Sequence, residues 1–110
     1  MKLVFAIIQD EDAQKLMNGL NRGGFMVTKL CSSGGFLKAG NTTLLVGVNE
    51  EYVSDVLKII EEKSKSRKQM VNTNVPNSAT TGGLMMPSPI EVTVGGATVF
   101  VIDVDQYTKF

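Results

Sequence analysis

The sequence predicts an α+β domain of order β-α-β-β-α-β, with an antiparallel sheet and both helices on one face. Three observations carry this. The apolar run Leu3–Ile8 opens the chain, and the strand-like segments Phe25–Cys31 and Thr42–Val48 flank a short glycine-rich loop. Two stretches of helical apolar spacing alternate with these strands. Two further β-rich segments, Ile90–Val94 and Ala97–Val104, close the chain.

Leu3–Ile8 is apolar at every position, the pattern of a central strand buried on both faces. Asp10 or Asp12 can cap the helix that follows. Ala13, Leu16, Met17 and Leu20 recur at i, i+3, i+4, i+7 and form one apolar helix face. Gly23-Gly24 ends the helix, because glycine takes the left-handed conformation readily. The segments Phe25–Cys31 and Thr42–Val48 lie close enough for a hairpin with the glycine-rich loop at its tip.

Asn49 reads as a second N-cap, with Glu50 and Glu51 favourably placed against the helix dipole. Val53, Val56, Leu57 and Ile60 form the second apolar helix face. From Gln69 to Pro89 periodicity fails, and the length of that stretch suggests a functional or mobile loop. Gly95-Gly96 between the last two β segments suggests a bulge or tight turn. The order is that of the ferredoxin-like split βαβ arrangement. Strands apolar on both faces imply that the sheet face away from the helices is also covered, most simply by another copy of the chain.

The chain of 110 residues fits a single domain over 1–110. Lys plus Arg equals Asp plus Glu at 11 each, and the pI is near 6.2. That balance argues against a general nucleic-acid or anionic-membrane binder. The only cysteine is Cys31, so no intrachain disulfide forms and a reducing, cytoplasmic setting is expected. The N-terminal apolar run is too short for a signal-peptide core or a membrane span. There is no histidine, which excludes His-based acid–base or triad catalysis and argues against zinc or copper.

The loop Ser32–Asn41 holds the most chemistry. Gly34, Gly35 and Gly40 suit a plain hairpin turn. That reading explains Phe36 poorly, since a large aromatic at a loop tip is normally buried or used in binding. Backbone N–H groups at Gly35 and Phe36 can cradle a phosphate as a nest. Phe36 can stack on a base, and Asn41 and Thr42 can reach a ribose or phosphate oxygen. Thr28 and Gly47 fall at mirrored positions on the two hairpin strands. Gly47 weakens a strand interior and so marks a close approach, and its backbone can pair with an adenine edge. The loop has no catalytic pair, so recognition rather than chemistry is expected, with no cofactor and no metal.

Other candidates have plainer readings. Asp10, Glu11 and Asp12 read as helix capping and dipole complementarity. The basic run Lys63, Lys65, Arg67, Lys68 reads as a solvated helix end. Asp103 and Asp105 lack the further ligands of a metal site. Cys31 reads as a small strand hydrophobe.

These residues carry a resemblance. The segments MKLVFAIIQD, VTKL followed by GGFLKAGNTTLLVGV, and EVTVGGATVFVIDV resemble the PII-like cyclic-di-AMP receptor family (PstA/DarA). The resemblance implies a ferredoxin-like protomer in a homotrimer that binds cyclic di-AMP in clefts between subunits and is not an enzyme. By position it implies that Phe36 stacks on an adenine and that Thr28 and Gly47 contact a base edge. Gly35, Phe36 and Leu37 would offer backbone groups, Asn41 a side chain, and Met26 and Val27 would complete the ligand-binding set. The loop of about 69–89 would be the family's large mobile loop and the surface for a downstream protein partner. Gly24 and Met26 stand where members often carry Asn and Arg, which weakens the expected phosphate grip. Two other functions fit the topology. One is a PII-type regulator binding ATP or ADP in the same cleft, for which the hairpin has few cations. The other is an acylphosphatase-like hydrolase, which the acidic Gln9–Asp12 segment disfavours.

Overall fold

The computed structural model describes residues 1–30, 40–73 and 88–110. β1 (Lys2–Gln9) leads directly into α1 (Asp10–Arg22), and β2 (Thr28–Leu30) pairs with β3 (Asn41–Val48). A 3-10 turn (Glu50–Tyr52) enters α2 (Val53–Ser64), followed by β4 (Arg67–Thr73), β5 (Ser88–Val94) and β6 (Ala97–Asp103). The main sheet is antiparallel in the order β2-β3-β1-β6, consistent with the ferredoxin-like arrangement. β4 and β5 form a separate two-stranded ribbon.

The core lies between the sheet and the helices. Val4, Ala6 and Ile8 of β1 and Leu44, Val46 and Val48 of β3 point toward Ala13, Leu16, Leu20, Val56 and Ile60. Alternation along β1 sets Leu3, Phe5 and Ile7 on the opposite face, where they are half-buried. Phe5 meets Phe100 edge to face there, with ring centroids 6.5 Å apart. Phe100 and Ile102 remain about half exposed, so within one protomer this face is an open apolar surface.

Several expectations need correction. Residues 69–73 and 88–89 are not loop. They belong to β4 and β5, and only residues 74–87 of that expected loop lie outside the described residues. The polar run RKQMVNT concealed β4. β5 does not join the main sheet, because Gly95 and Gly96 turn the chain so that only β6 pairs with β1. The second strand is shorter than Phe25–Cys31; Phe25 and Val27 pack against the core ahead of it. Gln9, not Asp10 or Asp12, occupies the N-cap of α1, and neither it nor Asn49 makes a side-chain capping bond. Leu57 is exposed rather than part of the buried face of α2.

The basic cluster is not simply a solvated helix end. Arg67 opens β4 and reaches back to α1, where its Nη2 and Nη1 donate to the Asp12 carboxylate at 2.9 and 3.1 Å. Lys15 Nζ lies 3.2 Å from the same carboxylate. Asp12 is buried, so it is a paired interior anion rather than a dipole ornament. Its carboxyl is held below the usual range first by the Arg67 hydrogen bonds, against the opposing effect of burial. Asp103 ion-pairs with Lys2 at the sheet end. No helix among the described residues is long and apolar enough to cross a membrane.

Candidate functional site

The site is built where the sheet opens at one corner. The β2–β3 ladder stops at Thr28↔Leu45, while β3 runs on to Val48. Along Val46–Val48, β3 therefore has no paired strand on its β2 side among the described residues. Thr28 and Gly47 are not mirrored: Gly47 lies two residues beyond the partner of Thr28. Its own partner is Leu3 of β1.

A cavity of about 460 Å³ opens at this corner on the face away from the helices. Met26, Thr28 and Gly47 line it together with Leu3, Leu45 and Tyr107. The volume is within the range of small-ligand pockets, and the lining is mainly apolar with few polar groups. A Cβ built on Gly47 meets nothing within 4 Å, so no protein packing demands glycine here. Gly47 also lacks a positive φ. What its missing side chain provides is open access to backbone N–H and C=O at the cavity wall.

A second cavity, of about 700 Å³, shares Met1 and Gly47 with the first and extends toward Phe25, Tyr52 and Asp55. Phe25 and Tyr52 meet edge to face at 6.2 Å.

The expected site residues separate into four sets. Met26, Thr28 and Gly47 come together at the cavity. Asn41 begins β3 on the same face as Gly47, about 13 Å along the strand from Leu45. It pairs in register with Gln9 and does not line the cavity. Val27 turns its side chain to the core. Gly35, Phe36 and Leu37, like Cys31, lie outside the described residues.

Sequence reasoning missed Leu3, Leu45 and Tyr107. The first two read as ordinary strand residues, and their role follows from register. Tyr107 read as a tail, but Val104 donates its N–H to the Met1 carbonyl at 3.2 Å and brings the C-terminus back to the cavity. Thr43, on the same face as Gly47, has a buried Oγ1 with no partner among the described residues.

This arrangement sets an apolar wall beside an open strand edge, a geometry suited to a planar, hydrogen-bonding ring. The family model described as "Cyclic-di-AMP receptor" matches residues 1–110, the whole chain. The chain belongs to the cyclic-di-AMP receptor family. A receptor family of this kind is one of binding proteins rather than enzymes. A solved structure, described as "a functionally unknown protein from Pediococcus pentosaceus ATCC 25745", is 42% identical with a TM-score of 0.76. That similarity covers 99% of this chain and 96% of the other. Of the expected site residues that are described, Met26, Thr28 and Gly47 share this cavity, and Val27 and Asn41 do not line it.

Proposed function

We propose that this protein is a non-enzymatic cytoplasmic sensor that binds cyclic di-AMP and relays its presence through loop rearrangement. The observation that carries the reading is the whole-chain receptor match joined to the open β3 edge at Gly47. Gly47 and Thr28 take an adenine edge, and Phe36 stacks on the ring. Gly35 and Leu37 offer backbone groups to the sugar–phosphate, and Asn41 a side-chain amide. The long loop, residues 74–87 with its β4–β5 base, meets a downstream protein.

The protein works as a homotrimer, with each cleft completed by a neighbour. The open apolar face at Phe5, Phe100 and Ile102 supports this, as does the position of β6 and β2 at opposite edges of the sheet. A contact between unlike edges is head-to-tail and closes into a ring when the rotation permits. Covering such a face also removes a large exposed apolar patch.

Calorimetric titration of the purified protein tests the ligand. Cyclic di-AMP is expected to bind with one site per protomer and to outcompete ATP and ADP. Absence of binding at high micromolar cyclic di-AMP, or tighter binding of ATP, sinks the reading in favour of a nucleoside-triphosphate regulator.

A further inference from the structure

The short segment Gln9–Asp12 touches two regions far apart in sequence. On one side it holds the end of the glycine-rich loop. The Asp10 N–H donates to the Gly40 carbonyl at 2.8 Å, and Thr42 Oγ1 donates to the Asp10 carboxylate. Gly40 and Thr42 flank Asn41, whose register partner is Gln9.

On the other side the same segment holds the base of the ribbon. Gln9 Oε1 accepts the Gly95 N–H at 2.7 Å, just past β5. Asp12 grips Arg67, the first residue of β4 and the register partner of Val94. Both ribbon strands are thus tied at one end to residues 9–12. A two-stranded ribbon is marginally stable alone, so such base contacts set how it stands on the body. The Asp12–Arg67 contact is bidentate and directional, and Asp12 is buried, so it does not slide without losing energy.

We propose that Gln9–Asp12 is the coupling element between the nucleotide site and the ribbon. A ligand engaging Asn41 restrains Gly40–Thr42, Asp10 carries that restraint into the first turn of α1, and Gln9 and Asp12 deliver it to Gly95 and Arg67. This rests on the reading of Asn41 as a ligand contact. Asp10, Gln9 and Asp12 are positioning residues and touch no ligand. By reciprocity, whatever fixes the ribbon also shifts affinity at the loop.

Hydrogen exchange on the full-length protein tests this in two arms. The first needs no ligand. Thr42→Val removes the hydroxyl that binds Asp10 and keeps the side-chain shape. It is expected to speed exchange at Gly95 and along the base of β4 and β5 by about fivefold, the low end of allosteric coupling. Exchange at the centre of β1 should stay unchanged. An unaltered ribbon overturns the proposal whether or not cyclic di-AMP binds. In the second arm, cyclic di-AMP is expected to slow exchange at both residues 40–43 and the ribbon base. Arg67→Gln should remove the response at the start of β4 while leaving those at Gly95, held by Gln9, and at 40–43. A response at the start of β4 that survives Arg67→Gln also overturns it. Failure of calorimetric binding removes the ligand assignment alone, since the first arm still decides the coupling.

Discussion

Arg67 and Asp12 lock together across 55 residues of sequence through hydrogen bonds of 2.9 and 3.1 Å. This pair fastens the start of β4 to the first turn of α1. It also makes stability depend on acid. Asp12 has its carboxyl held below the ordinary aspartate range, with the Arg67 hydrogen bonds the largest cause. A depressed folded-state pKa adds stability that is present above the unfolded value and is lost as pH falls through the folded one. Thermal melts should therefore be flat from neutral pH down to about 5 as far as this pair is concerned, then fall below about 4. Asp12→Asn should lower stability at pH 7 by about 2 kcal/mol and flatten that acid limb. An unchanged acid limb in the variant would remove Asp12 as its source.

Gly95 allows the clamp to close. Its φ is +80°, and a Cβ there would lie 2.8 Å from the Lys65 carbonyl and 2.5 Å from Arg67 Nη1. Gly95→Ala adds strain in a left-handed conformation to a clash with backbone, so a loss of about 2–3 kcal/mol is expected. Denaturant unfolding measures it. A loss under about 0.5 kcal/mol, typical of neutral surface changes, would show that the turn accommodates a side chain.

Gly47→Ala separates binding from folding. The added methyl meets only open space and ordinary backbone angles, so melting should be unchanged or slightly raised. Cyclic di-AMP affinity should drop about tenfold, the equivalent of about 1.4 kcal/mol, because the methyl blocks the strand edge. Equal affinity by calorimetry would place the base elsewhere.

Met26 lies on the cavity and is 85% exposed. Met26→Arg should place a guanidinium where a phosphate can meet it. Charge-assisted hydrogen bonds of this kind contribute about 1.5–3 kcal/mol, so affinity should rise about tenfold or more at low salt. The gain should shrink as salt is added. A salt-independent gain would point to packing instead.

Phe100→Asp tests the assembly. Phe100 is half exposed on the open sheet face beside Phe5. A carboxylate there should convert trimer to monomer in sedimentation and weaken cyclic di-AMP binding with it. A trimer that persists would assign its contacts to another surface.

Much of this was legible in the chain. Leu3–Ile8 announced a strand, and Ala13, Leu16 and Leu20 a buried helix face, because burial against one core imposes a period that single residues reveal. Gly47 stood out as a glycine where a strand wants a side chain. The strand β4 was hidden, because a polar ribbon outside the main sheet has no core to impose alternation. Leu45, Leu3 and Tyr107 were equally hidden as cavity residues, since nothing in their local sequence distinguishes lining a pocket from ordinary packing.

What the sequence determined by itself is the alternation of the early strands with two helices and most of the buried face of each helix, which depend on residues near one another in the chain. Tertiary structure alone decided three matters. It set Gly47 two residues past the partner of Thr28, it returned Tyr107 to the same corner, and it turned Asp12 from a helix-end charge into a buried partner of Arg67. Each is a long-range contact chosen by strand register and chain reversal. Such contacts are settled by which packing buries the core while leaving no interior charge unpaired.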